Sequence, residues 1–213
     1  MTTETMNVHQ ALAELKMIDK RIEAAVRATD WVAVNKHSNT KIGGVTEKEW
    51  CDDVKSKYQK VQDLIRRRDA IKRAVVNSNA VTKVVVAGVE YTVAEAIDKK
   101  NNGVEFLKLL ATRLASDHLT AKRTADVANG DNLSRRADDH VKIMIGNSDM
   151  KGATAEAQRV RNEFIEAQTT DIIDPIGVLA EVERINEEVN SFLMNVDAAL
   201  STSNSLTNIT VEY

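Results

Sequence analysis

The stretch RAVVNSNAVTKVVVAGVEYTVAEAI, residues 73–97, decides how this chain folds. It opens with the apolar end of a helical pattern and passes through the polar run Asn77-Ser78-Asn79. A valine run, an Ala-Gly pair and Val89-Glu90-Tyr91 follow, and Thr92-Val93-Ala94-Glu95 closes it. Val84-Val85-Val86 and Val89-Glu90-Tyr91 around Ala87-Gly88 predict a tight β-hairpin over 82–91, with Gly88 supplying a positive φ. Thr92 and Glu95 are spaced as a capping box, in which hydroxyl and carboxylate satisfy the free amides of a new helix.

Outward from this segment the chain reads as helices. Val8, Leu12, Leu15, Ile18 or Asp19, Ile22 and Ala25 fall three or four apart and predict a helix over about 7–28. Gly43-Gly44 ends a polar loop. Thr46 and Glu49 form another capping box, opening a helix over about 46–77 with Trp50, Val54, Tyr58, Val61, Leu64 or Ile65, Ile71 and Val75 on one side. Further helices are expected over about 92–118, 133–145, 154–167 and 175–199, the last with Asp174 as cap and Pro175 in its first turn. Residues 207–212 read as a strand. Because an isolated hairpin is marginal in water, this strand is expected to join the hairpin as its third member, with Ile172-Ile173 as a candidate fourth. The fold class is therefore mainly α with a small β element, in one domain spanning residues 1–213.

Composition agrees. One Pro and eight Gly in 213 residues leave few breaks, and an aromatic content of 4% calls for an aliphatic, Ala-rich core. Charged residues are 29% of the chain and nearly balanced, with a net charge of −3, which argues against general nucleic-acid binding. Cys51 is the only cysteine, so no intramolecular disulfide can form. MTTETMNVHQALAELK lacks the basic and apolar regions of a signal peptide, and no apolar run reaches the roughly 20 residues of a membrane span, so a cytoplasmic protein without membrane contacts is expected.

The hairpin region also carries a resemblance. Asn77, Asn79, Ala80, Thr82, Val84, Gly88, Thr92, Glu95 and Ala96 resemble the Asn-rich junction, Gly turn and T-x-x-E-A helix start of the septicolysin-like family of bacterial and phage proteins. HQALAELKMIDKRIEAAV and EVERINEEVNSF are similar to that family's terminal helices, so the resemblance covers roughly two thirds of the chain; residues 118–150 have no counterpart. It implies a mostly helical homo-oligomer without an established activity, and it transfers no catalytic residue. The family name suggests a cytolysin, but no amphipathic, export-ready segment here supports one.

Motifs of chemistry are scarce. The chain has no Walker loop, no G-x-G-x-x-G and no G-x-S-x-G elbow, and its four histidines are scattered. Asp138-Asp139-His140 reads as a solvated helix face rather than a metal site, and Cys51 beside Trp50 as a half-buried thiol. No cofactor or metal is expected.

Two groups remain as ligand-binding candidates. Arg66-Arg67-Arg68 fans around its helix and puts Arg68 on the apolar stripe, where it must snorkel, pair with an acid of a neighbouring helix, or face an anion. Asn77, Asn79, Thr82 and Asn204 either cap a helix and lead into a strand, or offer hydrogen bonds to a sugar, base or phosphate. With Arg66 and Arg68 they form the expected site for a small, anionic, nucleotide-like ligand. The expected function is its sequestration by a non-enzymatic homo-oligomer, conceivable as a phage counter-defence sponge. The alternatives are an assembly protein working through helix–helix contacts and, less favoured, a nucleotide hydrolase.

Overall fold

The computed structural model describes residues 2–146 and 155–213. In chain order the elements are β1 (Thr3–Asn7), α1 (Val8–Arg27), β2 (Lys41–Ile42), β3 (Val45–Thr46), α2 (Glu47–Val81), β4 (Lys83–Val86), β5 (Val89–Thr92) and α3 (Val93–Asp98). A π-helical turn (Lys99–Gly103), α4 (Val104–Asn129), α5 (Asp131–Ile145), α6 (Ala155–Gln168), α7 (Val178–Leu206) and β6 (Asn208–Glu212) follow. The fold is mainly α with, among the described residues, three two-stranded antiparallel ribbons, β1–β6, β2–β3 and β4–β5. Contacts divide it into two compact units, residues 1–102 with 191–213, and residues 103–190.

In the first unit the elements start where side chains can satisfy free amides. Asn7 Oδ1 accepts from the Gln10 amide at 2.8 Å while Gln10 Oε1 accepts from the Asn7 amide at 3.1 Å. Thr46 with Glu49, and Thr92 with Glu95, form the two expected capping boxes. Val8, Ala11, Leu15 and Ile18 are the buried stripe of α1, and they pack with Ile71 and Val75 of α2 and with Met6, Ile209 and Val211. Ala11 rather than Leu12 faces inward, and Leu12 lies at the exposed margin.

The hairpin forms as expected, one residue later, over Lys83–Val86 and Val89–Thr92. Ala87 (φ 50°) shares the left-handed conformation with Gly88 (φ 82°), a turn whose twist suits a two-residue hairpin. Its expected third strand is elsewhere. β6 pairs with β1, Met6 opposite Ile209 and Glu4 opposite Val211, and Ile172-Ile173 is not a strand. In this register Met6, Ile209 and Val211 are buried together on the α1–α2 core, so the pairing is held by apolar burial as well as by its ladder. Β1 itself escapes a pattern search because Thr3–Asn7 buries only Met6.

The second correction concerns the polar junction. α2 runs to Val81, so Asn77-Ser78-Asn79 is helix. Asn and Ser cost only tenths of a kcal/mol in a helix interior, roughly 0.5–0.7 each relative to Ala, and neither Gly nor Pro is present to stop it. The helix ends at Thr82, whose amide donates to Ser78 O at 2.9 Å and whose carbonyl accepts from Val93 at 2.8 Å.

In the second unit α4 continues to Asn129, past the expected end near 118. Leu133, Ala137 and Val141 of α5 are buried, as the sequence spacing requires. The expected start of the next helix at Thr154 lies outside the described residues, and α6 ends at Gln168. α7 begins at Val178, three residues after the expected start, since Pro175 and Gly177 lie in the lead-in turn. Asp174 still serves as cap: its carboxylate accepts from the amides of Ile176, Gly177 and Val178.

Candidate functional site

Arg67, in the middle of the Arg66–Arg68 run, holds the first unit together. Its Nε donates to Glu14 of α1 at 2.5 Å and its Nη2 to Glu4 of β1 at 2.9 Å. Nη1 donates to the Tyr213 hydroxyl, and the guanidinium carbon lies 4.7 Å from the Tyr213 ring centroid. The β1–β6 register sets this up: Glu4 shares the inward face with Met6, so the ribbon brings it to the arginine. The Glu14 hydrogen bond, then that to Glu4, drives the guanidinium pKa far above its usual value, opposed by partial burial. One planar fork thus bridges β1, α1, α2 and the residue after β6.

Beside this clamp lies an open surface cavity of about 600 Å³, lined by Lys60, Asp63, Leu64, Arg66, Arg67 and Tyr213. Lys60, Asp63, Leu64 and Arg67 are three or four apart on α2 and share a face. Arg66 is mostly exposed and its only pairing among the described residues is a 3.5 Å contact to Asp63 on its own helix. Lys60 has no ion pair among the described residues. Lys60 and Arg66 thus line, together with Asp63 and the Tyr213 ring, a cavity within the range that holds small molecules, roughly 300–1,000 Å³.

A second cleft, of about 550 Å³, lies between the hairpin and α7. Thr82, Lys83, Val84, Val85 and Ala87 form one wall, and Asn195, Ala198, Ala199, Thr202, Ser203 and Leu206 line the other. A third, apolar groove of about 480 Å³ runs between Val26, Trp31, Val54, Tyr58 and Val61, with Trp31 edge-on to Tyr58 at 6.2 Å.

The six expected site residues are distributed as follows. Arg66 lines the first cavity and Thr82 the second. Arg68 is in an ion pair with a neighbouring helix, its Nε 2.7 Å from Asp19 of α1, with Asp69 at 3.2 Å. Asn77 and Asn79 sit in the last turns of α2 and Asn204 near the end of α7; none of the three lines these cavities. Sequence reasoning missed Lys60, Arg67 and Tyr213 as site residues. Helical spacing links Lys60 to Arg67, but only the β1–β6 pairing brings Tyr213 to them.

No side chain with a polar or charged group is buried among the described residues, and no three His, Cys, Asp or Glu residues there could share a metal ion. No helix among them is long and apolar enough to cross a membrane. No family model, curated protein or solved structure matches this chain.

Proposed function

We propose that this chain is a non-enzymatic, self-assembling helical protein of septicolysin-like type that binds and sequesters a small anionic, nucleotide-like ligand. The observation that carries the reading is the Lys60–Arg66–Tyr213 cavity: two cations without strong partners beside an aromatic ring already fixed on one side by Arg67. Phosphate suits Lys60 and the Arg66 fork, and a base suits the ring. The setting is cytoplasmic, and countering a nucleotide-signalled defence is the role that the phage members of the resembled family suggest.

Native mass spectrometry of protein purified from cells, followed by denaturation and analysis of released small molecules, tests this. A closed oligomer carrying a stoichiometric nucleotide-like mass is expected. ATP and cyclic dinucleotides are the probes for direct titration, with Lys60→Ala and Arg66→Ala each weakening binding about tenfold, ~1.4 kcal/mol. Retained affinity in both variants would remove this cavity from the reading.

A second reading, assembly through helix–helix contacts without a small molecule, is favoured by one observation. Phe106, Leu109 and Leu110 of α4 are 71%, 67% and 47% exposed, an apolar patch at helical spacing. An oligomer with no added mass, broken by Phe106→Ser with Leu109→Ser, is the outcome expected of that reading.

A further inference from the structure

The chain contains two Asn-Gly pairs, Asn102-Gly103 and Asn129-Gly130. In such a pair the glycine nitrogen can attack the preceding carboxamide, because no Cβ crowds it. Both asparagines are exposed, so water reaches both, and the backbone tells them apart. Gly103 lies in continuous helical backbone (φ −63°, ψ −38°), where the π-helical turn runs into α4. Gly130 follows the last residue of α4 in an extended conformation (φ −73°, ψ −153°). Its N–H has no hydrogen-bond partner among the described residues, so the nucleophilic nitrogen is unengaged.

Asn129 also makes a contact that Asn102 does not. Its Nδ2 donates to the Thr170 carbonyl and its Oδ1 accepts from the Thr170 amide, both at 2.8 Å. These are the only hydrogen bonds of the Thr170 backbone among the described residues, and they fasten the chain leaving α6 to the end of α4. The Asn102 side chain reaches only Asp98, four residues back, at 2.7 Å. A carboxylate at 129 would have no N–H to give and would set a negative oxygen against the Thr170 carbonyl. It would also stand at the negative end of the α4 dipole, with Asp126, Asp131 and Asp171 close by in sequence to 129 and 170.

We propose that Asn129-Gly130 is a self-modification site, whose deamidation unfastens the segment after α6 from α4. The Gly130 nitrogen bonds to Asn129 Cγ and gives its proton to solvent. The Cγ–Nδ2 bond breaks, and the nitrogen takes a proton from solvent and leaves as ammonia. Water then opens the cyclic imide at either carbonyl, leaving aspartate or isoaspartate at 129. No oxidant, reductant or cofactor enters, and loss of ammonia makes the change one-way. The site is separate from the Lys60–Tyr213 cavity and holds whether or not an anion binds there.

The test ages the full chain in mildly alkaline buffer, folded and in parallel in urea, and follows residues 102 and 129 by peptide mass spectrometry that separates aspartate from isoaspartate. In the folded chain residue 129 is expected to convert at least fivefold faster than residue 102, and in urea the two rates are expected to converge. A smaller ratio in the folded chain, or a folded residue 129 that stays asparagine while the urea sample converts, would overturn the proposal. The consequence is read from Asn129→Asp without ageing: the Thr170 amide is expected to exchange hydrogen at least fivefold faster with helicity preserved. Unchanged Thr170 exchange would overturn the release. Gly130→Ala is expected to slow conversion at 129 at least fivefold. Its Cβ would stand 3.1 Å from the Asp126 carbonyl oxygen, so should that variant unfold, the comparison of 129 with 102 in the unmutated chain decides alone.

Discussion

Replacing Arg67 with Ala removes the clamp and leaves Glu4 and Glu14 facing each other without a cation. The cost follows from how far each contact is shielded. The side chains of Arg67 and Glu14 are only 22% and 23% exposed, so their charge-assisted hydrogen bond is worth about 1.5–2 kcal/mol. Glu4 is 45% exposed and recovers most of its hydration, so its bond counts as a surface pair of about 0.5 kcal/mol. Stacking on Tyr213 adds about 0.5–1 kcal/mol. Together these predict a loss of about 3 kcal/mol, which for a chain of 213 residues lowers the melting temperature by about 6–12 °C. Arg67→Lys keeps the charge but not the fork, and recovers less than half of the loss. Thermal melting followed by circular dichroism measures this, and a double-mutant cycle with Glu14→Gln isolates the pair, with a coupling of about 1–2 kcal/mol expected. A melting point within about 2 °C of the unmutated protein, or no coupling to Glu14, would refute the clamp. The raised guanidinium pKa adds no pH dependence near neutrality, since stability from a basic group so shifted is complete below its unfolded pKa and is lost only at strongly alkaline pH, as pH rises from there through the folded value.

Acid should act through the caps. The Glu49 and Glu95 carboxylates sit below their ordinary 4.5, chiefly through backbone hydrogen bonds from Thr46 and Thr92. Depressed acids give stability that is complete above their unfolded pKa and fades as pH falls through the folded one, so melting should decline below about pH 4.5, with a shallower slope in Glu49→Gln and Glu95→Gln. Phe192 is 2% exposed and edge-on to Tyr91 at 5.8 Å, and Phe192→Ala should cost about 3–5 kcal/mol by denaturant unfolding; less than about 1 kcal/mol would place it outside a packed core. In hydrogen exchange, Ile209→Ala and Val211→Ala should speed exchange in residues 3–7 and leave 83–92 unaffected; acceleration in the hairpin would contradict the β1–β6 pairing.

What was legible in the chain was local. Thr46 with Glu49, Thr92 with Glu95, and the valines around Ala87-Gly88 carry their chemistry within a few residues, and they form as their spacing requires. The alternation in 207–212 announced a strand, but its partner lies some 200 residues away at Thr3–Asn7, where four of five residues are polar and no pattern marks an edge. Asn77-Ser78-Asn79 misled because residues that favour caps also survive inside a helix of 35 residues with a well-anchored end. Arg68 was legible as an ion-pair candidate and has Asp19 of a neighbouring helix as its partner. Arg67 was not distinguished from its neighbours, since its importance comes from Glu4, Glu14 and Tyr213, which no local window contains.

The clamp and the proposed anion cavity share two residues, and this sharing orders the experiments. Arg67 and Tyr213 are both wall and brace: they line the cavity and fasten β1 and β6 to the helices. A ligand that stacks on Tyr213 while its phosphate meets Lys60 and Arg66 binds the folded form alone, so it stabilises that form by mass action, about 2.7 kcal/mol at a hundredfold excess over Kd, and raises the melting temperature. Loss of binding in Arg67→Ala is therefore ambiguous, because the cavity wall and the fold loosen together. Lys60 and Arg66 lack that double role: one has no ion pair among the described residues and the other only a weak one within its own helix. Removing either should leave the ligand-free stability within about 0.5 kcal/mol of the original while abolishing most of the ligand-induced rise in melting temperature. A ligand-induced rise that survives both substitutions would place the bound anion elsewhere on the molecule and leave the clamp as structure alone.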